Sequence, residues 1–284
     1  MANILFFGST TDSVIVLEKL FKTYTIAAIV TQPPRPTPTP VDIWGKAQNI
    51  AVLSFENNPD KPWLYKDERV VIDTLNAVRA DLLVSASYGQ KIPTKTLTDS
   101  EHGGLNIHPS LLPRWRGGDP VPWAILTGDH QIGVSIVTLS DEFDAGRIIA
   151  QKKIPIMPHD TSTPLRTKLF TMGSDMLIDV LPDYIHGKIK GAPQNPKDAP
   201  TAKRLSRELG FEPWEKFDTD GERIEKKFRA FTPWPGVWSI FQKKRIKILA
   251  LHLENDKLIF DTVQLEGKNP VSWKQFQKAY LDTR

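Results

Sequence analysis

The feature that most restricts the fold of this chain is the alternation of buried strands and helices in its first half. Apolar runs at Ile4–Phe7, Thr25–Val30 and Asp81–Ser87 are typical of strands that are covered on both faces. Between the first two runs, apolar residues recur at helical spacing from Val14 to Phe21. This alternation predicts an α/β fold with an open, Rossmann-like, mostly parallel sheet and flanking helices.

Ligands of such sheets bind beyond the carboxyl ends of the strands. The turn after the first strand, Gly8–Ser13, lacks the glycine spacing of a dinucleotide-binding fingerprint, which disfavours a nicotinamide or flavin enzyme. Two more strands are predicted at Leu105–His108 and Gly133–Leu139, and polar residues follow both. Candidate functional residues are therefore sought in these two segments.

The last third of the chain has a different organisation. A polar connector with several prolines is followed by an amphipathic helix around Thr219–Phe231. Short strands are predicted at Gly236–Phe241, Arg245–Leu251 and Lys257–Leu265. We therefore expect a first domain at 1–190, a linker at 191–205 and a small β-rich domain at 206–284.

Positive charge is concentrated in this last part. Residues from Thr201 onward contain 17 of the 37 Lys and Arg residues but only 12 of the 33 Asp and Glu residues. A basic segment on a near-neutral body favours a polyanionic partner, although charge alone fits a solvated surface equally well.

Composition excludes several classes of protein. The chain has no cysteine, which removes disulfides, thiolate zinc sites and cysteine nucleophiles. The six histidines show no paired ligand spacing, so no protein metal site is predicted. No apolar run is long enough to span a membrane and no secretory signal is recognisable, so a cytoplasmic protein is expected.

The segment that suggests chemistry is N-I-H-P-S-L-L-P-R-W-R-G at residues 106–117. Asn106 and His108 are two positions apart on a predicted strand and therefore share one face. Asp144, in the turn after the next strand, could approach His108. An amide that stabilises an oxyanion, a histidine that moves a proton and a carboxylate that orients it together fit acyl transfer to an amine. Each feature also has a structural alternative, because Asn-x-His arises by chance and an acidic turn often caps a helix.

The motif at 106–117, followed by D-E-F-D-A-G-R-I-I at residues 141–149, resembles the folate-dependent formyltransferases. The stretch R-A-F-T-P-W-P-G at residues 229–236 is similar to the methionyl-tRNA branch of that family. The resemblance implies that Asn106 donates to the oxyanion, that His108 is the acid–base group and that Asp144 is its carboxylate partner. It implies 10-formyltetrahydrofolate as the formyl donor, with a binding site formed by Tyr88, Gly89, Ile92, Ser110, Leu111, Leu112, Pro113 and Asp141.

The same resemblance implies that the acceptor is methionine carried on initiator tRNA, and that the last domain is an OB-like barrel that helps bind the tRNA. The implied tRNA contacts are Arg35, Arg114, Arg116, Lys243, Lys244, Arg245 and Lys247. The proline-rich loop Pro33–Pro40 is shorter and less basic than the family pattern. The barrel is expected to be abridged, with Val271–Tyr280 as a candidate closing strand.

Two other functions remain open at this point. One is a formyltransferase that acts on a small amine such as a nucleotide-linked amino sugar, which the short Pro33–Pro40 loop would allow. The other is a non-catalytic RNA-binding relative, which would not need to retain Asn106, His108 and Asp144. The enzyme is expected to be monomeric.

Overall fold

The computed structural model describes residues 2–195, 197, 200–255 and 257–282. Its contacts divide the chain into two units. The first comprises the described residues within Met1–Pro120, Gln131–Ile154 and Arg166–Ala202, and the second comprises those within Val121–His130, Pro155–Leu165 and Lys203–Arg284. Pro196, Asp198 and Ala199 of the predicted linker 191–205 lie outside the described residues.

Nine strands are found among the described residues up to Ala202. They are β1 (Asn3–Gly8), β2 (Thr25–Thr31), β3 (Val52–Ser54), β4 (Leu82–Ala86), β5 (Gly104–His108), β6 (Arg116–Gly117), β7 (Gln131–Thr138), β8 (Ile148–Pro155) and β9 (Thr201–Ala202). Seven of them form one sheet in the order β3-β2-β1-β4-β5-β7-β8, while β6 pairs in parallel with β9. The pairs from β3 to β5 are all parallel, and β7 runs antiparallel to β5.

Eight helices are found in the described chain. They are α1 (Thr11–Phe21), α2 (Pro40–Ala47), α3 (Glu68–Ala77), α4 (Thr94–Asp99), α5 (Pro120–Leu126), α6 (Ser162–Ile185), α7 (Gly221–Phe231) and α8 (Trp273–Tyr280). The first begins with a capping box in which Thr10 and Ser13 satisfy each other's backbone N–H groups. Among the described residues, none of these helices combines the length and apolarity that crossing a membrane requires.

The core of the first unit follows from the apolar runs. All five residues of β4 are buried, and Ile4–Phe7 of β1 are at most 1% exposed. Strands this apolar can be stable only in a sheet that is covered on both faces. The predicted mostly parallel α/β sheet is thus confirmed, and the order of its strands places the ends of β4 and β5 side by side.

The second unit contains a four-stranded antiparallel sheet. Its strands are β10 (Val237–Phe241), β11 (Lys244–Glu254), β12 (Lys257–Leu265) and β13 (Val271–Ser272), in that order. Ile246 and Ile248 alternate with exposed residues along β11, as expected for a sheet with one solvated face. Both pack with Ile224 of α7 and Phe276 of α8 in one apolar core. The predicted small β-rich domain is confirmed.

The prediction of a strand over Val271–Tyr280 was wrong beyond its first two residues. Ser272 and Gln275 form a capping box, and the chain continues as α8. Trp273, Phe276 and Tyr280 then recur at helical spacing, which places the buried Phe276 ring against the sheet. Aromatic residues are common in strands, but the three- and four-residue spacing of these aromatic residues is that of a helix.

Candidate active site

The centre of the candidate active site is the carboxylate of Asp144, in the loop between β7 and β8. Its Oδ1 atom accepts a hydrogen bond from Asn106 Nδ2 at 3.1 Å and lies 3.3 Å from His108 Nδ1. Its Oδ2 atom accepts a hydrogen bond from the backbone N–H of Gly117 at 2.9 Å. The chain therefore brings Asn106, His108 and Asp144 into direct contact.

β5 and the loop between β7 and β8 each contribute to this geometry. Asn106 and His108 are two positions apart on β5 and point to the same side of the sheet. Asp144 comes from a longer path, because β7 is antiparallel to β5 and its Thr138 pairs with Leu105. The following loop brings Asp144 back to the side chains of Asn106 and His108 on β5 before β8 begins.

A close approach of two backbone segments allows this return. A Cβ atom at Gly146 would lie 1.8 Å from the carbonyl oxygen of Thr138, so only glycine fits there. Asp144 itself has a φ of 55°, a left-handed conformation that aspartate tolerates better than most residues.

The contacts of His108 define its charge. Its Nε2 atom lies 2.8 Å from the carbonyl oxygen of Trp115, which can only accept, so Nε2 carries a proton. Its Nδ1 atom faces the Asp144 carboxylate, which also only accepts when ionised. Because an acceptor faces each ring nitrogen, this geometry favours an imidazolium paired with a carboxylate.

The pKa values agree with this assignment. Burial alone would lower the pKa of His108, but the charge and hydrogen bond of Asp144 and the Trp115 carbonyl raise it above the usual 6.5. Burial would likewise raise the pKa of Asp144, but His108, the Gly117 N–H and the Arg116 charge lower it below the usual 3.8. Both shifts favour the ionised form of the pair.

The segment after β5 is fixed by side chains from β7 and β8. Ser135 Oγ donates to the carbonyl of Ser110 at 2.6 Å and accepts from the N–H of Leu112 at 3.1 Å. Gln151 Nε2 donates to the Leu112 carbonyl and to Ser135 Oγ, both at 2.8 Å. These bonds hold the segment that carries the Trp115 carbonyl beside His108.

The side chain of Gln194, distant in sequence, binds the loop that carries Asp144. Gln194 Nε2 donates to the backbone carbonyls of Asp144 at 2.7 Å and Gly146 at 2.8 Å. Its Oε1 atom accepts from Arg116 Nε at 3.0 Å and Nη2 at 2.7 Å. One amide group therefore connects the Asp144 loop to Arg116 on β6.

Two family models match the chain. The model described as formyl transferase matches residues 2–181, and the model described as formyl transferase, C-terminal domain, matches residues 216–258. The chain belongs to the formyl transferase family. The resemblance seen in the sequence motifs is thereby confirmed.

Three known proteins resemble the chain over most of its length. The methionyl-tRNA formyltransferase of Listeria monocytogenes is 37% identical over 262 residues, which cover 90% of this chain and 81% of that protein. A sugar N-formyltransferase from a Shewanella species has a TM-score of 0.68 at 19% identity, covering 90% of this chain and 100% of that one. HypX from Aquifex aeolicus, solved in complex with tetrahydrofolic acid, has a TM-score of 0.64 at 17% identity, covering 99% of this chain and 48% of that one.

The residues expected to bind folate lie in three segments of this formyl transferase. Tyr88, Gly89 and Ile92 follow β4, while Ser110, Leu111, Leu112 and Pro113 follow β5. Asp141 is exposed and lies 2.7 Å from Lys91 Nζ and from Thr94 Oγ1. Lys91 and Thr94 therefore bind the Asp141 loop to the segment that follows β4, and they lower the pKa of Asp141 below the usual 3.8.

One buried side chain in the segment after β4 has unpaired polar atoms. Gln90 is 3% exposed, and among the described residues neither its amide nitrogen nor its amide oxygen has a hydrogen-bond partner. An unpaired buried amide costs roughly 1–3 kcal/mol, which is commonly offset by water or a ligand.

The basic residues expected to contact tRNA fall on both units. Arg35 is exposed and lines a surface hollow with Glu56 and Asn57. Arg114 lies 4.5 Å from the centre of the Trp115 ring, and Arg116 binds Gln194. In the second unit Lys243, Lys244 and Lys247 are exposed at the β10–β11 turn and along β11, and Arg245 is half-buried 5.9 Å from the Trp238 ring.

Sequence reasoning did not find the Trp115 carbonyl, the Gly117 N–H or Gln194. The first two are backbone groups, which no side-chain pattern reveals. Gln194 lies 50 positions from Asp144, in a segment that reads only as a polar connector. The sequence contains no local signal for any of these three partners.

Proposed function

We propose that this enzyme transfers a formyl group from 10-formyltetrahydrofolate to the amino group of methionine on initiator tRNA. The observation that carries the proposal is the direct contact of Asn106, His108 and Asp144 in a chain of the formyl transferase family. The acceptor follows from the 37% identity to a methionyl-tRNA formyltransferase over 90% of the chain. Sugar N-formyltransferases share the fold at 19% identity or less, which favours a sugar acceptor far less.

Asn106 stabilises the oxygen on which negative charge develops. Its Nδ2 atom has two hydrogens, of which one is donated to Asp144. The second can donate to the formyl oxygen while the amine attacks. A comparable amide contact is worth about 3–4 kcal/mol in related chemistry.

His108 transfers the proton. Because both ring nitrogens are protonated at rest, His108 acts first as an acid, through the Nε2–H that Trp115 holds. The amine must lose one proton and the departing nitrogen of the donor must gain one, so His108 gives a proton to one and takes it back from the other. Asp144 holds the ring in place and stabilises its charge throughout.

We assign the folate donor to the segments that follow β4, β5 and β7. Tyr88, Gly89, Ile92, Asp141 and the Ser110–Pro113 segment supply backbone groups and apolar side chains. The unpaired amide of Gln90 provides a donor and an acceptor for a ligand rich in polar atoms, as a pteridine is. When bound, 10-formyltetrahydrofolate supplies an activated formyl group on nitrogen.

The tRNA is held by basic residues of both units. Lys243, Lys244, Arg245 and Lys247 contact phosphates without reading sequence. Arg35, Arg114 and Arg116 act at the acceptor end of the tRNA. We assign catalysis to 1–190 and tRNA binding to 206–284, with 191–205 as linker, in an enzyme that acts as a cytoplasmic monomer.

The test is a comparison of three acceptors with 10-formyltetrahydrofolate as donor. We expect formylation of methionine-charged initiator tRNA at a kcat/KM far above that for methionine-charged elongator tRNA or a nucleotide-linked amino sugar. Preferential formylation of the amino sugar would replace the proposed acceptor. If none of the three is formylated, the catalytic proposal is wrong.

A further inference from the structure

Gln194 lies outside the three catalytic residues but makes four hydrogen bonds in their immediate surroundings. Its two amide hydrogens are donated to the carbonyls of Asp144 and Gly146, and its oxygen accepts twice from Arg116. A primary amide has two donor hydrogens and two acceptor sites, so the hydrogen-bonding capacity of this side chain is fully used.

The donor and acceptor groups of the Gln194 amide bind different partners, the backbone of the Asp144 loop and the Arg116 guanidinium. The donor half fixes the backbone on both sides of Ala145, in a loop where Asp144 has a φ of 55° and where Gly146 approaches Thr138. The acceptor half holds the guanidinium of Arg116, whose positive charge acts on the Asp144 carboxylate. Arg116 and Gly117 form β6, and the N–H of Gly117 binds Asp144 Oδ2.

We propose that Gln194 is a positioning residue that holds the Asp144 loop and Arg116 in the geometry in which Asp144 pairs with His108. The inference rests on the proposed formyl transfer and adds a residue to its mechanism. Within the described chain Gln194 makes no hydrogen bond to Asn106 or the His108 ring; it acts through the Asp144 backbone and Arg116.

The physical reason is that the ion pair depends on where Asp144 lies. Without the amide, the left-handed loop loses two of the bonds that stabilise it, and Arg116 loses its anchor beside the carboxylate. The groups that face His108 are Asp144 and the Trp115 carbonyl, and those that face Asp144 are His108, Asn106, Arg116 and the Gly117 N–H. A displaced carboxylate would stabilise the imidazolium less.

Two variants with side chains of similar length test the donor and acceptor groups of the Gln194 amide. Gln194→Met removes all four hydrogen bonds without adding charge. Gln194→Glu keeps an acceptor for Arg116, loses both donors and adds negative charge beside Asp144. The matched control is Gln275→Met, which removes the capping box of α8 in the second unit, where the Gln275 side chain binds Ser272.

The readouts are the kcat and KM of formyl transfer and the NMR titration of His108 in the full chain, assigned by comparison with His108→Gln. For Gln194→Met we expect kcat to fall by about 100-fold, with a much smaller change in the KM for the folate donor. The titration midpoint of His108 should fall by at least about half a pH unit. In Gln194→Glu the added charge should move the midpoint upward instead.

Gln275→Met should lower the thermal unfolding temperature and leave the His108 titration unchanged. The role of Gln194 is overturned if both of its variants titrate at the wild-type midpoint, or if Gln194→Met keeps kcat within about 3-fold of wild type. The titration needs no acceptor. If the wild type formylates no methionyl-tRNA, the proposed function fails while the midpoints still decide the role of Gln194.

Discussion

At the scale of single residues, the chemistry depends on how the hydrogen bonds of three side chains are divided. Asp144 uses one carboxylate oxygen for Asn106 and His108 and the other for a backbone N–H. In the proposed mechanism His108, with an acceptor facing each ring nitrogen, begins the reaction as an acid. The same proposal gives the second amide hydrogen of Asn106 to the substrate.

The role of Asn106 gives a first prediction. Asn106→Ala should lower kcat by about 100- to 1000-fold, because it removes a donor from the oxygen that becomes charged. The KM for the folate donor should change little, since the contact forms mainly as the bond is made. Asn76→Ala is the control, because Asn76 is an exposed amide on α3 that binds only Asp99 in the described chain. Equal kcat values for the two variants would contradict the role of Asn106.

The His108–Asp144 pair gives a second prediction, which concerns stability and pH. Because the pKa of folded His108 lies above 6.5, the pair contributes fully below pH 6.5 and loses its contribution as the pH rises through that pKa. The pKa of folded Asp144 lies below 3.8. The stabilising contribution of the pair is therefore also lost as the pH falls through the folded pKa of Asp144. Asp144→Asn should therefore reduce the free energy of unfolding by about 3 kcal/mol near pH 5.5.

The cost of the same substitution should fall as the pH rises through the pKa of folded His108, since the ring then becomes neutral. Urea unfolding of both proteins over a series of pH values from about 5.5 upward measures this trend. A loss that stays equal throughout the series would mean that His108 and Asp144 do not form an ion pair.

At the scale of elements, the sequence predicted what depends on local patterns. Ile4–Phe7, Asp81–Ser87 and Lys257–Leu265 were recognised as strands because apolar runs and turn residues mark them. The helix at Thr219–Phe231 was recognised from its period. The shared orientation of Asn106 and His108 follows from the two-residue repeat of a strand.

Features that depend on tertiary contacts, such as strand direction and contacts between distant segments, could not be predicted from the sequence. The antiparallel direction of β7 leaves no trace in its own residues, and half-exposed β8 has no clear alternation. The expectation that Val271–Tyr280 helps to close an abridged barrel was wrong beyond Ser272 for a local reason, because a capping box and helical spacing begin α8 there. Gln194 could not be linked to Asp144, because only the folded chain brings a connector to the catalytic loop.

The connection between α7 and the preceding segment gives a third prediction. Glu212 accepts from Arg223 at 2.7 and 2.8 Å and from Lys227 at 2.5 Å, and Glu212 and Lys227 are both buried. Burial lowers the pKa of Lys227 below its usual 10.5, whereas Glu212 favours the charged form. Glu212→Gln leaves this ammonium group without a carboxylate and should destabilise the protein by about 3 kcal/mol.

Thermal or urea unfolding checks this value. Glu56→Gln, which disrupts an exposed pair with Lys66, is the control and should leave stability unchanged. Similar effects of the two substitutions would show that burial of the Glu212–Lys227 pair has no consequence.

At the scale of the whole molecule, charge is unevenly distributed along the chain. The chain has a formal net charge of +4, and the excess of basic residues lies after Thr201, where the four-stranded sheet is found. The acidic and basic residues of the earlier part nearly cancel. A neutral catalytic part and a basic part are suited to an enzyme whose substrate is joined to a large polyanion.

This distribution gives a fourth prediction. Changing Lys243, Lys244 and Lys247 to Glu should raise the KM for methionyl-tRNA and reduce the steepness of its salt dependence by roughly one for each phosphate that the variant no longer binds. Changing Lys257, Lys274 and Lys278 to Glu alters the same total charge in the same unit and serves as the control. If the two triple variants behave alike, net charge rather than the β10–β11 turn governs tRNA binding.

The most direct test of the central claim is a single measurement on the wild type and on His108→Gln. Each is mixed with 10-formyltetrahydrofolate and methionine-charged initiator tRNA, and formylmethionine is quantified after deacylation. We predict that the wild type produces formylmethionine and that His108→Gln is slower by about 100-fold or more while still binding the folate. Formylmethionine at the same rate from both proteins, or from neither, would contradict the account.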